Sequence, residues 1–297
     1  MKSLLTLIVE ATAVLTITLT PCSARAGDTP AESSFAVKVT GKGPPVILIP
    51  GFSCSGAVWD GTVAHLKDHY QCHVLTLAGF GGGPRVPEPF LETVRNDLAT
   101  YIREQKLDHP IIIGHSLGGF IALWLASHDP DLPGPLIIVD SLPFLPASFI
   151  TNATAQSATP MAEQIRKAMA VPRPQFVTNS EESVKMMVTG QADYERIMTW
   201  VKMTDPQAGG DAMYDLFTTD LRGEIGQIQS PTLVLGTWIA YKKYTTRAAA
   251  EATFRRQYAQ LKNCKVVMAD TRHFIMLDDP KWFYQQVDTF LANPSRN

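Results

Sequence analysis

Ile111-Ile112-Ile113-Gly114-His115-Ser116-Leu117-Gly118-Gly119-Phe120 decides how this chain is read. Three β-branched residues in a row favour a strand. The segment from Phe120 to Ser127 has the composition of a buried helix. Between them sits a G-x-S-x-G turn. Glycine permits strained backbone and close approach of neighbouring elements, so the pattern predicts a strand that breaks directly into a helix with Ser116 at the break. A serine hydroxyl is a poor nucleophile unless it is held exposed and its proton is removed. The turn supplies the exposure. The helix N-terminus supplies free backbone N–H groups that favour developing negative charge. Taken alone, G-x-S-x-G also describes an ordinary glycine-rich turn. The strand before it and the helix after it give Ser116 a chemical reading.

Such a serine needs a base, and the chain offers one near its C-terminal end. Lys265-Val266-Val267-Met268-Ala269 reads as a strand, Asp270-Thr271-Arg272 as a short polar loop, and His273 comes next. A histidine just past the C-terminal end of a strand reaches the same edge of a parallel sheet as a serine at an equivalent turn. With seven histidines in the chain, a surface-loop histidine is the plain alternative.

Over most of its length the chain resembles the α/β-hydrolase superfamily. Gly114-His115-Ser116-Leu117-Gly118-Gly119 looks like the nucleophile elbow of its esterase and lipase-like branch. Ile49-Pro50-Gly51-Phe52 resembles the oxyanion loop after the family's third strand. Leu75-Thr76-Leu77-Ala78-Gly79-Phe80-Gly81 is similar to the loop after the fourth, with Ala78 where proline is common. The resemblance implies an α/β fold, a mostly parallel sheet flanked by helices, with the triad in the order serine, acid, histidine. It also implies an oxyanion hole built from the backbone N–H groups of Phe52 and Leu117. The elbow is specific to the superfamily but nearly silent about substrate.

The acid departs from the commonest family pattern. It usually comes just after the strand that succeeds the inserted cap, here Pro231-Thr232-Leu233-Val234-Leu235-Gly236. The next residues are Thr237-Trp238-Ile239-Ala240-Tyr241-Lys242-Lys243, and no carboxylate occurs before Glu251. The alternative used by some members is the end of the preceding strand, Leu136-Ile137-Ile138-Val139-Asp140. Asp140 there is expected to orient the histidine and stabilise its imidazolium, although aspartate at a strand end also caps loops. Asp270 is the runner-up, only three residues before His273.

Strands are expected at 35–40, 46–50, 73–77, 110–114, 136–140, 232–236 and 265–269, alternating with helices. Leu91, Val94, Leu98, Tyr101 and Ile102 form a helical stripe, and the last helix is expected from Pro280 to Leu291. The interval from Asp140 to Pro231 is too long for one crossover. Helical pieces near 161–170, 181–188 and 191–203 mark it as a cap. The division is therefore a core of 27–142 and 223–297 with a helical cap of 143–222. Seven of the ten methionines, Met161, Met169, Met186, Met187, Met198, Met203 and Met213, fall in the cap. Most are expected to pack it, and some to give an adaptable apolar wall. Phe144, Phe149, Tyr194, Trp200, Tyr214 and Phe217 are candidate aromatic walls. Phe144 and Trp238 are named as substrate-binding residues together with Cys54, which lies just past the oxyanion loop but lacks an elbow of its own.

The 297 residues are enough for one α/β domain with an insertion. A formal charge of −2 without basic runs predicts no nucleic-acid partner. Met1-Lys2, an apolar stretch from Leu4 to Leu19 interrupted by Glu10, and Ala24-Arg25-Ala26 read as an export signal cleaved after Ala26. The expected location is periplasmic or secreted. The stretch is short for a membrane span, so no stable membrane anchoring is expected, and Pro21 makes Cys22 a poor lipidation site. Cleavage leaves Cys54, Cys72 and Cys264, an odd number that does not describe a disulfide scaffold.

Two other constellations are set aside. His65, His69, Cys72 and His73 resemble a metal cluster, but the last two open a strand while the first two lie on a helix. Gly79-Phe80-Gly81-Gly82-Gly83 comes after a strand but lacks G-x-G-x-x-G spacing and runs into Pro84. The expectation is a cofactor-free and metal-free serine hydrolase acting on a small-molecule ester with an apolar group. Thioester, lactone or carbon–carbon hydrolysis, or cofactor-free halogenation or oxygenation, would use the same triad. A non-catalytic ligand receptor is the rival from another class.

Overall fold

The strands of this chain are nearly continuous apolar runs, which suits a sheet covered by helices on both faces. The computed structural model describes residues 33–294. It contains β1 (Phe35–Thr40), β2 (Pro45–Ile49), β3 (Gln71–Leu77), β4 (Ile111–His115), β5 (Leu136–Val139), β6 (Thr232–Gly236) and β7 (Cys264–Met268). They form one sheet in the order β1-β3-β2-β4-β5-β6-β7. Only the edge strand β1 runs antiparallel, with Phe35 opposite Leu77; the other pairings are parallel. Each expected strand lies within two residues of an observed one.

The helices are α1 (Asp60–Leu66), α2 (Phe90–Glu104), α3 (Leu117–His128), α4 (Ala155–Met169), α5 (Arg173–Met187), α6 (Gln191–Met203), α7 (Pro206–Thr218), α8 (Arg247–Gln257), α9 (Ile275–Asp278) and α10 (Pro280–Ala292). Alternate residues of one strand feed opposite cores. Ile47 and Ile49 of β2 pack with residues of α2 and α3 on one face. Val46 and Leu48 pack with Leu66 of α1 and Phe283, Val287 and Phe290 of α10 on the other. The two-residue period of a strand makes that division.

Four helices, α4 to α7, lie between β5 and β6, within the interval expected to be a cap. Thr154 starts α4 with a capping box, its hydroxyl accepting from the Ser157 backbone while the Ser157 hydroxyl accepts from the Thr154 backbone. The sequence pattern does not predict α7, because Gly209-Gly210 lowers helix propensity. Two things override that propensity. Asp205 accepts from the amides of Gln207 and Ala208, and Pro206 occupies the first turn. The glycines also let α7 approach α4 closely: a Cβ on Gly210 would sit 3.0 Å from the Arg166 carbonyl.

The export signal expected at residues 1–26 lies outside the described residues. Among the described residues, no helix is long and apolar enough to cross a membrane.

Candidate active site

Ser116 joins β4 to α3 with φ 53° and ψ −118°. This backbone costs a non-glycine residue about 1–3 kcal/mol, so the surroundings must impose it. They do so by packing backbone on backbone. A Cβ on Gly114 would overlap the Gly118 carbonyl, and one on Gly118 would overlap the carbonyls of Ile49 and Pro50. The Ser116 amide donates to Val139 of β5 at 2.8 Å. Ser116 therefore stands at the strand ends, on the wall of a cavity of about 880 Å³.

Asp140 and His273 line the same cavity. Asp140 comes directly after β5, and its Oδ2 receives His273 Nδ1 at 2.6 Å. An ionised carboxylate only accepts, so Nδ1 carries the proton and Nε2 keeps its lone pair in the neutral ring. The Thr237 hydroxyl donates to the same Oδ2 at 2.7 Å, and the Thr237 amide donates to Oδ1 at 3.0 Å. Thr237 comes directly after β6, at the position where family members commonly carry the acid. Because β5 and β6 run parallel with Val139 opposite Leu235, the two positions share one sheet edge. The carboxylate stands on one strand end and its donors on the next. Asp270 is instead exposed, accepting from Trp238 Nε1 at 2.8 Å and Arg247 Nε at 3.2 Å.

Phe52 and Leu117 both line the cavity. Neither backbone N–H has a hydrogen-bond acceptor among the described residues. The loop carrying Phe52 crosses close to the elbow, since a Cβ on Gly51 would sit 3.2 Å from Ser116 Cβ.

His115 is a buried neighbour of His273 that the sequence pattern does not single out. It is 1% exposed, and its Nε2–H donates to the His273 carbonyl at 3.1 Å. Its ring lies 4.5 Å from the His273 ring and 4.7 Å from Phe274, while its Nδ1 is buried without a partner. Burial first, and the neighbouring His273 second, hold its pKa well below the ordinary imidazole value. A neutral ring thus supports the backbone of His273 without opposing a charge on it. Arg272 ties the same loop to the end of α5, its Nη1 donating to the carbonyls of Lys185 at 2.7 Å and Val188 at 2.6 Å. Asp278 accepts from the Arg272 amide and from the amide and hydroxyl of Thr189.

Of the expected wall residues, Trp238 lines the cavity, as do Met169, Met187, Met213 and Phe149. Cys54 and Phe144 do not. Cys54 is fully buried beneath the β2 and β3 face, where burial pushes its thiol up to about 12. Phe144 turns into a small cluster with Ala153 and Ala158, with the Arg222 guanidinium 4.8 Å from its ring centre. Proximity in sequence to the elbow loops does not say which way a side chain turns. His65 stacks on Tyr284 and pairs with Asp288, while His73 bonds to Tyr101 and Gln71. Among the described residues no group of three ligating side chains is gathered for a metal.

The buried neutral His115 has a consequence for stability. Its folded pKa is depressed, so below the ordinary value near 6.5 the unfolded chain takes up a proton that the folded chain refuses. Stability from this group is complete at neutral pH and falls with pH below about 6.5, by up to about 1.4 kcal/mol per pH unit, until the depressed value is reached. Denaturant melts of wild type and His115→Gln at pH 7.5 and 5.0 are expected to show the smaller acid loss in the variant. Equal losses would contradict a neutral His115.

The family model for the alpha/beta hydrolase family matches residues 46–286. A pimeloyl-[acyl-carrier protein] methyl ester esterase of Vibrio cholerae is 29% identical over 207 residues, covering 67% of this chain and 76% of that protein. One of the same name from Aliivibrio fischeri is 25% identical over 269 residues, covering 87% of this chain and 98% of the relative. Among solved structures, a thermophilic esterase from Thermogutta terrifontis superposes with a TM-score of 0.71 at 21% identity, covering 90% of this chain and 96% of that one. MenH from S. aureus does so with a TM-score of 0.73 at 16% identity, covering 88% and 99%. The chain is an enzyme of esterase type, and it belongs to the alpha/beta hydrolase family.

Proposed function

We propose that this enzyme hydrolyses carboxylic esters of small molecules bearing an apolar group, with Ser116 as nucleophile, His273 as general base and acid, and Asp140 as the carboxylate that orients it. The observation that carries this reading is the 2.6 Å His273–Asp140 pair in the same cavity as a serine on a strained turn. Ser116 Oγ attacks the ester carbonyl as its proton passes to His273 Nε2. The amides of Phe52 and Leu117 hold the tetrahedral oxyanion. Collapse expels the alcohol, which takes the proton from His273, and leaves an acyl-serine. Water then attacks the acyl carbon, giving its proton to His273. The second tetrahedral intermediate releases the carboxylic acid and Ser116 recovers its proton.

Thr237 has a definite part in this reading. Its two donors and the imidazole occupy both carboxylate oxygens, which fixes the carboxylate in place while it orients His273. The cavity bears on the substrate. At about 880 Å³ it lies near the top of the range of about 300–1,000 Å³ for small-molecule sites. An acetyl group would leave it mostly empty, so a longer or bulkier acyl or alcohol group suits it better. The names of the curated relatives, esterases of a methyl ester, support an ester as the bond cleaved.

A chain-length series of p-nitrophenyl esters tests the reading. Turnover is expected to rise from acetyl to medium chains, and Ser116→Ala should lower kcat by about 10⁴-fold or more. Asp140→Asn should cost less than Ser116→Ala, yet at least about 100-fold. Near-normal turnover by Ser116→Ala removes the mechanism, and an unaffected Asp140→Asn moves the acid elsewhere. Thr237→Val keeps the backbone donor and removes the hydroxyl. It should lower kcat by about 10-fold, because a carboxylate with one donor fewer orients the imidazole less firmly. An unchanged kcat in Thr237→Val would deny Thr237 this part.

A further inference from the structure

Seven large hydrophobic side chains stand exposed among the described residues, and three of them, Phe149, Tyr241 and Tyr244, line the cavity that holds Ser116. Their exposures are 56%, 52% and 85%. Ordinary surface residues scatter singly, so three converging on one mouth call for a cause. Tyr241 and Tyr244 also enclose Lys242 and Lys243, both exposed and without a carboxylate partner among the described residues. The nearby carboxylates are engaged elsewhere, Asp270 with Arg247 and Glu251 with Arg247 and Arg255. The segment is an ordered turn. The Tyr244 and Thr245 amides donate to the Tyr241 carbonyl at 2.8 and 3.0 Å, and Trp238 at its base is held by Asp270.

We propose that the Tyr241-Lys242-Lys243-Tyr244 turn, with Phe149 of the same cavity lining, docks the enzyme onto an anionic lipid surface. Tyrosine has an apolar body and a polar tip, and it favours the boundary between headgroups and acyl chains. A lysine near an anionic surface adds attraction worth about a five-fold change in binding. Two tyrosines, a phenylalanine and two unpaired lysines give weak, reversible adsorption, in which the mouth faces the lipid. An apolar ester then passes from the bilayer into the cavity without crossing water; this last step rests on the proposed ester hydrolysis, whereas the docking does not. An acidic protein would also meet the two lysines, but the three exposed rings gather on the cavity that is to receive an apolar ester, which a lipid surface supplies and an acidic protein does not.

Vesicle co-sedimentation of the full chain tests this, using phosphatidylcholine vesicles with and without an equal part of phosphatidylglycerol. Wild type should bind the mixed vesicles, and salt should weaken it. Lys242→Gln/Lys243→Gln should bind about 30-fold more weakly, with turnover of a water-soluble short-chain ester unchanged. Tyr244→Ser, which leaves the charge intact, should also bind several-fold more weakly. The proposal is overturned if either variant binds as wild type does, or if wild type binds both vesicle types equally. If wild type turns over no soluble ester, the proposed hydrolysis fails, while the vesicle comparison still decides the docking.

Discussion

Backbone packed directly on backbone at the end of β4 is the constraint on which the site depends. Gly114 and Gly118 face each other across the turn, and Gly118 lies against the carbonyls of Ile49 and Pro50 at the end of β2. Side chains at these positions would force the strand ends apart. Without them, α3 starts directly over the sheet edge and Ser116 is driven into its strained conformation. The same contact brings the Gly51–Phe52 loop alongside the elbow. The exposed serine, the free amides and the cavity floor thus arise from one packing requirement, and the cost of the strained serine is spread over a parallel sheet.

The polar groups around the histidine form a graded arrangement. Asp140 accepts three hydrogen bonds, two from Thr237 and one from His273. His115 supports the His273 backbone from below as a neutral donor. Arg272 and Asp278 tie the loop to the segment after α5. The His273 ring is therefore held on its carboxylate side, at its own carbonyl and through its neighbour Arg272, which leaves Nε2 as the nitrogen turned away from Asp140. Leu142, Leu145, Met169 and Met213 add apolar wall around this polar centre, and less polar surroundings strengthen its electrostatics.

Much of this is legible in the sequence for definite reasons. The strands are readable because parallel strands buried on both faces are continuous apolar runs, and the elbow because its glycines are required by overlap. The contact between Asp140 and His273 is foreseeable because the usual position for the acid holds no carboxylate. The occupant of that position, a threonine donating to Asp140, is not foreseeable, since hydrogen-bond partners across neighbouring strands leave no periodic trace. The helix α7 is hidden by Gly209-Gly210, whose value lies in close packing that only the tertiary structure shows. Cys54 and Phe144 are expected at the cavity and instead turn into apolar clusters, while Trp238 does reach it. His115 stands in plain view as the variable residue of the motif, but its part depends on a carbonyl more than 150 positions away.

The central claim is that Ser116 is an activated nucleophile whose reactivity comes from His273. Labelling the purified protein with a fluorophosphonate, and then mapping the modified peptide by mass, reads that directly and needs no knowledge of the substrate. The account predicts a single adduct on the peptide containing Ser116, formed rapidly in wild type, at least about 100-fold more slowly in His273→Ala, and not at all in Ser116→Ala. Labelling at another residue, or equal rates in wild type and His273→Ala, would contradict it.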